Sequence, residues 1–555
     1  MVLSCGIIYE TERDKGDAVI VRTRTRGNRR RRPALTVGVM LALAAVTGGS
    51  AAASSPSGDH RVVSAVPDRQ TGGSAMMVAT AQVVQLDPQL QRVSFAFTDA
   101  PMMSAVYGNL AWLDPATGEL ELYFLESLEP NEDFSVWTMT LHPGITFSDG
   151  TPMDAEAIRY NIARAADPDT GSRFYESAAA LELEVVDDLT LQVTLAEPNP
   201  SWYATLVSDF AGIGSPTAME QAKADGVEFG TVPVGAGPFM VKDWTPGQTL
   251  IVERNPYFAD FRPGEPYLDE ITFETVPDQV QQVNALQSGA AQIVAPTGAD
   301  VVVQLTEFAD ITVTNTSGGS DVWLNNTIPP FDDVRARQAI WYALDQAAAA
   351  NAFAAGTPPA RSLFGESSPY YDAAFEFPAQ DTEQAQALFD ELAAEGKPVE
   401  FTYTTLSSAA QTEFSNFLLA ALGEFDNVSV TIDVKTSDEY LQATRSGEYQ
   451  AIPHGAYFSN PIPTLVDTFH PDGLINSFGW DNPAVREALD SLGTATTEEA
   501  QREIWNTVQE QFLTDLPIYF VGQGVIGFAT VDDLVAPTVI NYGNNVLWGE
   551  VGYAA

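Results

Sequence analysis

Between Glu119 and Pro517 the chain switches repeatedly from one side-chain period to another, and this switching limits the folds open to it. Glu119 to Leu128, Val136 to Leu141 and Leu189 to Leu195 alternate apolar and polar residues, the period of a half-buried strand. Phe239 to Val241 and Leu250 to Glu253 predict a further strand pair, broken by Thr245-Pro246-Gly247. Helical periods lie between and after them. Asp154 to Ala166 sets Ala155, Ile158 and Ile162 on one face and stops before Pro168. Asp333 to Ala350 predicts one helix, capped by Asp332 or Asp333, because a short acid accepts hydrogen bonds from the first free N–H groups. Thr382 to Glu395 carries the stripe Ala385, Leu388, Phe389 and Leu392 and ends at Gly396. Thr496-Thr497-Glu498-Glu499 predicts a capping box that opens a helix bearing Ile504, Trp505, Val508 and Phe512. The absence of a short repeat excludes a solenoid or propeller. The mixed order predicts α/β domains rather than an all-β sandwich.

The amino terminus is built differently. Arg22, Arg24, Arg26 and Arg29 to Arg32 precede an apolar run, Ala34 to Val46, and small residues follow from Thr47 to Ser55. Basic, apolar and small-residue regions in this order read as a secretory signal. The run is shorter than the roughly 20 residues that span a bilayer; the alternative is an uncleaved anchor. A start near Val21 would give a basic region of ordinary length. The lone Cys5 precedes the apolar run, so no lipid-attachment Cys stands at the cleavage region and no intramolecular disulfide can form. Residues 54–75, small and polar with Pro and Gly, read as a flexible leader. No later apolar stretch is long enough to cross a membrane, so the mature chain is expected outside the cytoplasmic membrane, periplasmic or extracellular.

Charge sharpens this. The net charge is −47, yet residues 1–53 hold nine of the 27 Lys and Arg and only four of the 74 Asp and Glu, which leaves −52 on the remainder. Such a body argues against a nucleic-acid partner, because phosphate binding needs a basic surface. It reads as a hydrated, self-repelling surface suited to salty surroundings. Four His and one Cys exclude a zinc ribbon or an Fe–S centre. Gly522-Gln523-Gly524-Val525-Ile526-Gly527 is formally GxGxxG, but no convincing helix start follows it, so it reads as a strand turn and not as a dinucleotide loop. His454 and His470 lack a third ligand, and the acids at Asp167, Asp169 and Glu176 fail the calcium-loop spacing. No cofactor, metal or catalytic constellation is expected.

Seven short motifs carry a resemblance. They are Leu86-Asp87-Pro88, Val106-Tyr107-Gly108-Asn109-Leu110, Phe147-Ser148-Asp149-Gly150-Thr151-Pro152, Val234-Gly235-Ala236-Gly237-Pro238-Phe239, Glu253-Arg254-Asn255-Pro256-Tyr257-Phe258, Leu286-Gln287-Ser288-Gly289 and Pro330-Phe331-Asp332-Asp333-Val334-Arg335. With a late Asp515-Leu516-Pro517, they resemble, in order, family 5 of the ABC-transporter solute-binding proteins, the oligopeptide-, dipeptide- and nickel-binding group. The resemblance implies a type II periplasmic-binding-protein fold. A discontinuous first domain would take 76–110, 231–327 and 521–555, an inserted domain 111–230, and a third domain 328–520. It implies a monomeric, non-enzymatic component that hands a solute, a peptide in the first instance, to a permease with its ATPase. A signal-peptide receptor, an oligosaccharide binder and an extracellular hydrolase are the alternatives.

The resemblance also locates candidate solute contacts. They are Asp99, Tyr107 and Asn109 in the early loop, Trp323 and Asn325 near the hinge, Tyr457, Phe458 and Ser459 in the third domain, and Asn476, Phe478 and Trp480 beyond. Peptide binders of the family hold the peptide's ammonium with an Asp in or beside the segment His454 to Pro461. Here no acid lies between Tyr449 and Val466, which leaves Asp99 as the substitute. Arg254 and Arg335 are expected to hold interdomain or loop contacts rather than solute.

Overall fold

In the computed structural model the described residues are 19–20, 68–79, 82–90, 99–115, 117–295, 299–354, 356–458, 460–462, 464–473, 475–540 and 545–555. The expected signal, apart from residues 19–20, and the start of the leader lie outside them, as does Ser459. The end of the leader is not loose. Gln70 N–H donates to Tyr553 O (2.8 Å) and Gly72 N–H to Tyr267 O (2.7 Å), and strand β1 (Ser74–Ala79) follows directly. Among the described residues no helix is long and apolar enough to cross a membrane.

After β1 the chain builds a separate antiparallel sheet from β2 (Leu125–Pro130), β3 (Val136–Leu141), β4 (Leu181–Val185) and β5 (Thr190–Leu195), in the order β2-β3-β5-β4. The alternation read in β3 and β5 has its cause here. Trp137, Met139, Leu191 and Val193 point inward with Ile158 and Ile162 of the helix Ala155–Ala165, while the intervening threonines stay half-exposed. Asp154 caps that helix by accepting from Ala157 N–H at 2.9 Å. Arg164, near its end, makes a bidentate pair with Asp87, at 2.8 and 2.7 Å. This pair fastens the inserted sheet to the stretch that follows β1.

The chain then returns through β6 (Phe239–Thr245), β7 (Thr249–Arg254), β8 (Glu270–Thr275) and β9 (Ile293–Val294), with β8 and β9 parallel to β1 on its two sides. Strand β10 (Asp310–Leu324) leads into a second lobe containing β11 (Val399–Leu406), β12 (Val428–Lys435) and β13 (Ala451–Phe458). Strand β14 (Ile518–Thr530) comes back. The sheet order is β12-β11-β13-β10-β14-β9-β1-β8-β7-β6. Strands β10 and β14 pair antiparallel from Asp310↔Thr530 to Trp323↔Ile518, so both run through the two lobes. One core surrounds β1, β7 and β8, with Met77, Val252 and Phe273. Another fills the second lobe, with Trp341, Phe364, Phe389 and Trp505.

Three local expectations change. The helix expected over 333–350 is two, Val334–Ala343 and Gln346–Phe353, because Asp345 turns out of the helix and accepts from Ala348 N–H (2.6 Å) as a second cap. The expected capping box at 496–499 does not form. Thr497 is the cap and Ala500 its partner, so Glu498 and Glu499 only complement the helix dipole. The capping box among the described helices that does form joins Thr436 and Glu439. Finally, Gly522 to Gly527 lies inside β14 rather than at a turn, and no helix starts there.

The glycines that matter to the lobes are in β10. Its pairing with β14 shifts register between Asn315 and Gly319 and again after Ser320. Gly318 has φ +70° and Gly319 φ +157°; a Cβ would sit 1.8 Å from Ala456 O in the first case and 1.8 Å from Gly522 O in the second. Three backbones are pressed together, and only glycine fits between them. Gly318→Ala is expected to destabilise the fold by at least about 2 kcal/mol, read as a lower urea midpoint. Arg164→Ala, which strands a buried Asp87, is expected to cost about 3 kcal/mol in the same assay.

Candidate functional site

Where β10 enters the second lobe, its neighbours bring together polar groups that the packing leaves unanswered. Asp321 of β10 stands directly opposite His454 of β13. Opposed residues of an antiparallel pair share a face, and Trp323, two residues along β10, shares it too. The Trp323 and His454 rings stack with centroids 3.6 Å apart and 26° between planes. Phe478 closes on Trp323 at 5.2 Å. Asp321 is 0% exposed. The Ala456 backbone N–H is directed at its carboxyl, while His454 Nδ1 and Trp323 Nε1 have no hydrogen-bond partner.

Burial sets the protonation of these groups. It raises the Asp321 carboxyl well above the usual carboxylate range, with the Ala456 backbone N–H pulling the other way. It lowers His454 to about 4. At neutral pH the imidazole is therefore uncharged. Beside them Tyr457 and Ser320 share a hydrogen bond of 2.6 Å, and burial pushes the Tyr457 phenol up to about 12.

Two further features adjoin this spot. A cavity of about 50 Å³ is lined by Gly318, Arg361, Phe364, Glu366, Tyr371 and Gln523. Arg361 is exposed and makes no ion pair among the described residues. Strand β13 is also unladdered along part of one side, beyond Pro453, whose carbonyl accepts from the Tyr440 hydroxyl. β11 pairs with it only at Tyr403↔Ala451, so from Pro453 to Phe458 it is laddered to β10 alone. An unladdered strand edge offers backbone N–H and C=O groups to whatever extended chain comes beside it.

The residues expected to touch solute divide into those near this spot and those committed elsewhere. Trp323, Tyr457 and Phe478 lie at it, although Trp323 and Phe478 are buried. Phe458 is turned into the second-lobe core, 5.7 Å from Phe364. Asn325 braces two strand ends, donating to Gly447 O (2.8 Å) and Tyr449 O (2.9 Å). Asn476 ties its own loop, donating to Trp480 O (2.9 Å) and accepting from Gly479 N–H and Trp480 N–H at 3.1 Å each. In the first lobe Tyr107 donates to Leu86 O at 2.5 Å from within the core. Asn109 is buried with Oδ1 unpartnered, and Asp99 is buried at the start of the helix Ala100–Tyr107. Of the two arginines, Arg254 makes a loop contact, reaching Asp269 at 2.8 Å, while Arg335 pairs with its helix cap Asp333 and ties that helix to Glu391 and Glu395 at the end of the helix Thr382–Ala394.

Trp480 needs a correction. Sequence reasoning set it in an aromatic solute lining. Its Nε1–H donates to Asp515 Oδ2 at 2.8 Å, and its ring meets Phe469 and Phe512 edge-on at 5.5 and 6.1 Å. A ring held on three sides inside one lobe acts first on stability. Trp480→Ala is therefore expected to lower unfolding free energy by about 3–5 kcal/mol, measured by denaturant titration without solute. Sequence reasoning also missed Asp321 and weighed His454 only as a metal ligand. The available signal was that Asp321 is the one charged residue from Ile311 to Leu324, in a strand otherwise neutral.

The comparisons with known proteins agree with this architecture. The sequence is 26% identical over 415 residues to the glutathione-binding protein GsiB of Pectobacterium atrosepticum, covering 71% of this chain and 79% of that one. Against GsiB of Escherichia coli K12 it is 29% identical over 336 residues, covering 60% of this chain and 64% of that one. In fold it superposes on the oligopeptide-binding protein AppA of Bacillus subtilis, solved with a nonapeptide, with a TM-score of 0.73 at 17% identity; 88% of this chain and all of that one are covered. A dipeptide-binding protein from Pseudoalteromonas, solved with Met-Leu, gives a TM-score of 0.73 at 20% identity, with 87% and 100% covered. The profile of the bacterial extracellular solute-binding proteins, family 5 (middle region), matches residues 119–472, more than half the chain. The chain belongs to the family 5 bacterial extracellular solute-binding proteins.

Proposed function

We propose that this protein is the exported solute-binding component of an ABC importer and that its solute is a peptide. The observation that carries the peptide reading is the open side of β13. From His454 to Phe458 a strand beside the lobe junction is laddered on one side only, while Pro453 O is taken by the Tyr440 hydroxyl. An extended peptide satisfies such an edge through its own backbone, with side-chain identity left to the surrounding surfaces. A sugar lacks the regular N–H and C=O spacing that would use it. The relatives named above add weight, since glutathione, a nonapeptide and Met-Leu all contain peptide bonds.

In this reading residues 1–53 direct export, 111–230 form the inserted domain, and the first and third domains close over the solute by flexing β10 and β14. Solute stabilises the closed form, and a monomer in that form docks on the permease that its ATPase drives. Tyr457 lies on the solute's path, and Arg361, unpaired at the cavity's edge, is available to an anionic group of the solute. The protein holds its cargo without altering it.

The test is a thermal-shift screen of the mature chain against pools of di- to pentapeptides, oligosaccharides and divalent metals. Peptides at about 100 times their Kd should add roughly 2.7 kcal/mol of stability, a rise of a few degrees. Small-angle scattering should show a smaller radius of gyration, and mass spectrometry should recover the peptides uncut. Stabilisation by sugars or metals with none by peptides would overturn the reading, as would peptide cleavage.

A further inference from the structure

The inserted sheet touches the second lobe as well as the first, and the two contacts differ in kind. Toward the first lobe it shares an apolar core, which takes in Ala236, Phe258, Ile540 and Leu547. The Arg164–Asp87 pair adds to this. Toward the second lobe the contact is polar. Gln501 Nε2 donates to Ser201 Oγ at 3.1 Å, and Asn460 Nδ2 donates to the Tyr203 hydroxyl at 3.2 Å. Pro198 O comes so near Gly493 that a Cβ there would sit 2.9 Å from it. The core of the inserted body and that of the second lobe have no residue in common.

We infer that the corner 198–203 of the inserted body is a clasp that holds the second lobe against the first, with Ser201 and Tyr203 as the positioning residues that slow the escape of solute. This rests on the hinge-closing reading above and gives the inserted body a part in it.

Each half of the clasp is set before the halves meet. Gln501 also donates to Ala495 O at 3.2 Å and accepts from the Tyr370 hydroxyl at 2.8 Å, so its own lobe fixes the amide. Asn460 Oδ1 accepts from Ile462 N–H at 2.9 Å, which leaves the Nδ2 side facing Tyr203. Across the seam, Ser201 N–H donates to Asn199 Oδ1 at 2.9 Å, and Asn199 O accepts from Trp137 Nε1 at 3.2 Å. The Tyr203 ring lies 6.4 Å from the Trp137 ring. Groups already oriented lose little freedom when they pair, so such bonds keep most of their worth. A polar seam with no shared core also parts without exposing apolar surface, which suits a contact that is made and remade. The inserted body is built onto the first lobe, so parting the lobes along β10 and β14 breaks both bonds. Asn460 stands two residues beyond β13, which places one end of the clasp beside the strand assigned to the solute. Gly493 fits the same account. Its backbone is outside the left-handed region, and outside its own turn an added Cβ would meet Pro198 O alone within 4 Å. The seam, rather than the second lobe's own packing, is what requires a glycine there.

The experiment compares the wild-type mature chain with the double variant Ser201→Ala/Tyr203→Phe, which removes both acceptors, and with Gly493→Leu, which wedges the seam. Small-angle scattering is recorded without peptide. Each chain is then loaded with a tripeptide pool and desalted, and the loss of each retained tripeptide is followed by mass spectrometry. Both variants should release tripeptides about 5- to 30-fold faster than the wild type and show a larger radius of gyration when empty. Gly493→Leu should keep the wild-type urea midpoint, because the wedge is relieved as the lobes part. Wild-type release rates together with wild-type dimensions in both variants overturn the inference and leave the peptide reading standing. A lowered urea midpoint for Gly493→Leu also overturns it, since that marks a seam that never parts. If the wild type retains no tripeptide, the peptide reading falls, and scattering decides the clasp alone: larger empty variants uphold it, and unchanged ones overturn it.

Discussion

The pairing of β10 with β14 is the constraint on which the rest of the structure depends. Each lobe has its own apolar core, and either could be assembled from local strand and helix contacts. Only these two strands pass through both, from Asp310↔Thr530 in one lobe to Trp323↔Ile518 in the other. The ladder must be regular enough to hold the lobes in register and irregular enough to bend. The register shifts around Gly319 meet both needs, because a bulge interrupts pairing locally without ending it. The glycines at 318 and 319 are the steric condition for that bulge.

The short motifs that suggest the family have mostly architectural work. Asp87 holds Arg164 across the boundary between the first lobe and the inserted sheet. Asp149 accepts from Ser215 Oγ at 2.6 Å and fastens the loop before the Ala155 helix to the cap of the helix Pro216–Asp225. Asn255 donates to Gly237 O at 2.8 Å and so ties two of the motifs to each other. These residues brace the first lobe and the inserted sheet, which explains why they identify the fold far better than they identify its solute.

How much could be read in the sequence varied with the range of the interaction. Helix 155–165, its Asp154 cap and the alternating strands β3 and β5 were legible because period and capping are local. The break at Asp345 was not, since the Ala-rich stretch after it favours helix as strongly as the stretch before, and the cap decides only once the chain has turned. The aromatics at 478 and 480 illustrate the harder case. A Trp beside Gly and Asn looks the same in sequence whether it lines a cleft or locks a loop. Asp515, which receives the Trp480 N–H, is 35 residues away.

The sequence by itself determined the alternation of element types, the order of the motifs and hence the family, and the strongly acidic body, since each is a property of neighbouring residues or of composition. Only the tertiary structure decided which side chains share a surface. A β-sheet places strands side by side without regard to their distance along the chain, so Asp321, sealed from water, comes to face His454, 133 residues later. Burial, not residue type, then sets their charge, and burial is a property of the assembled sheet.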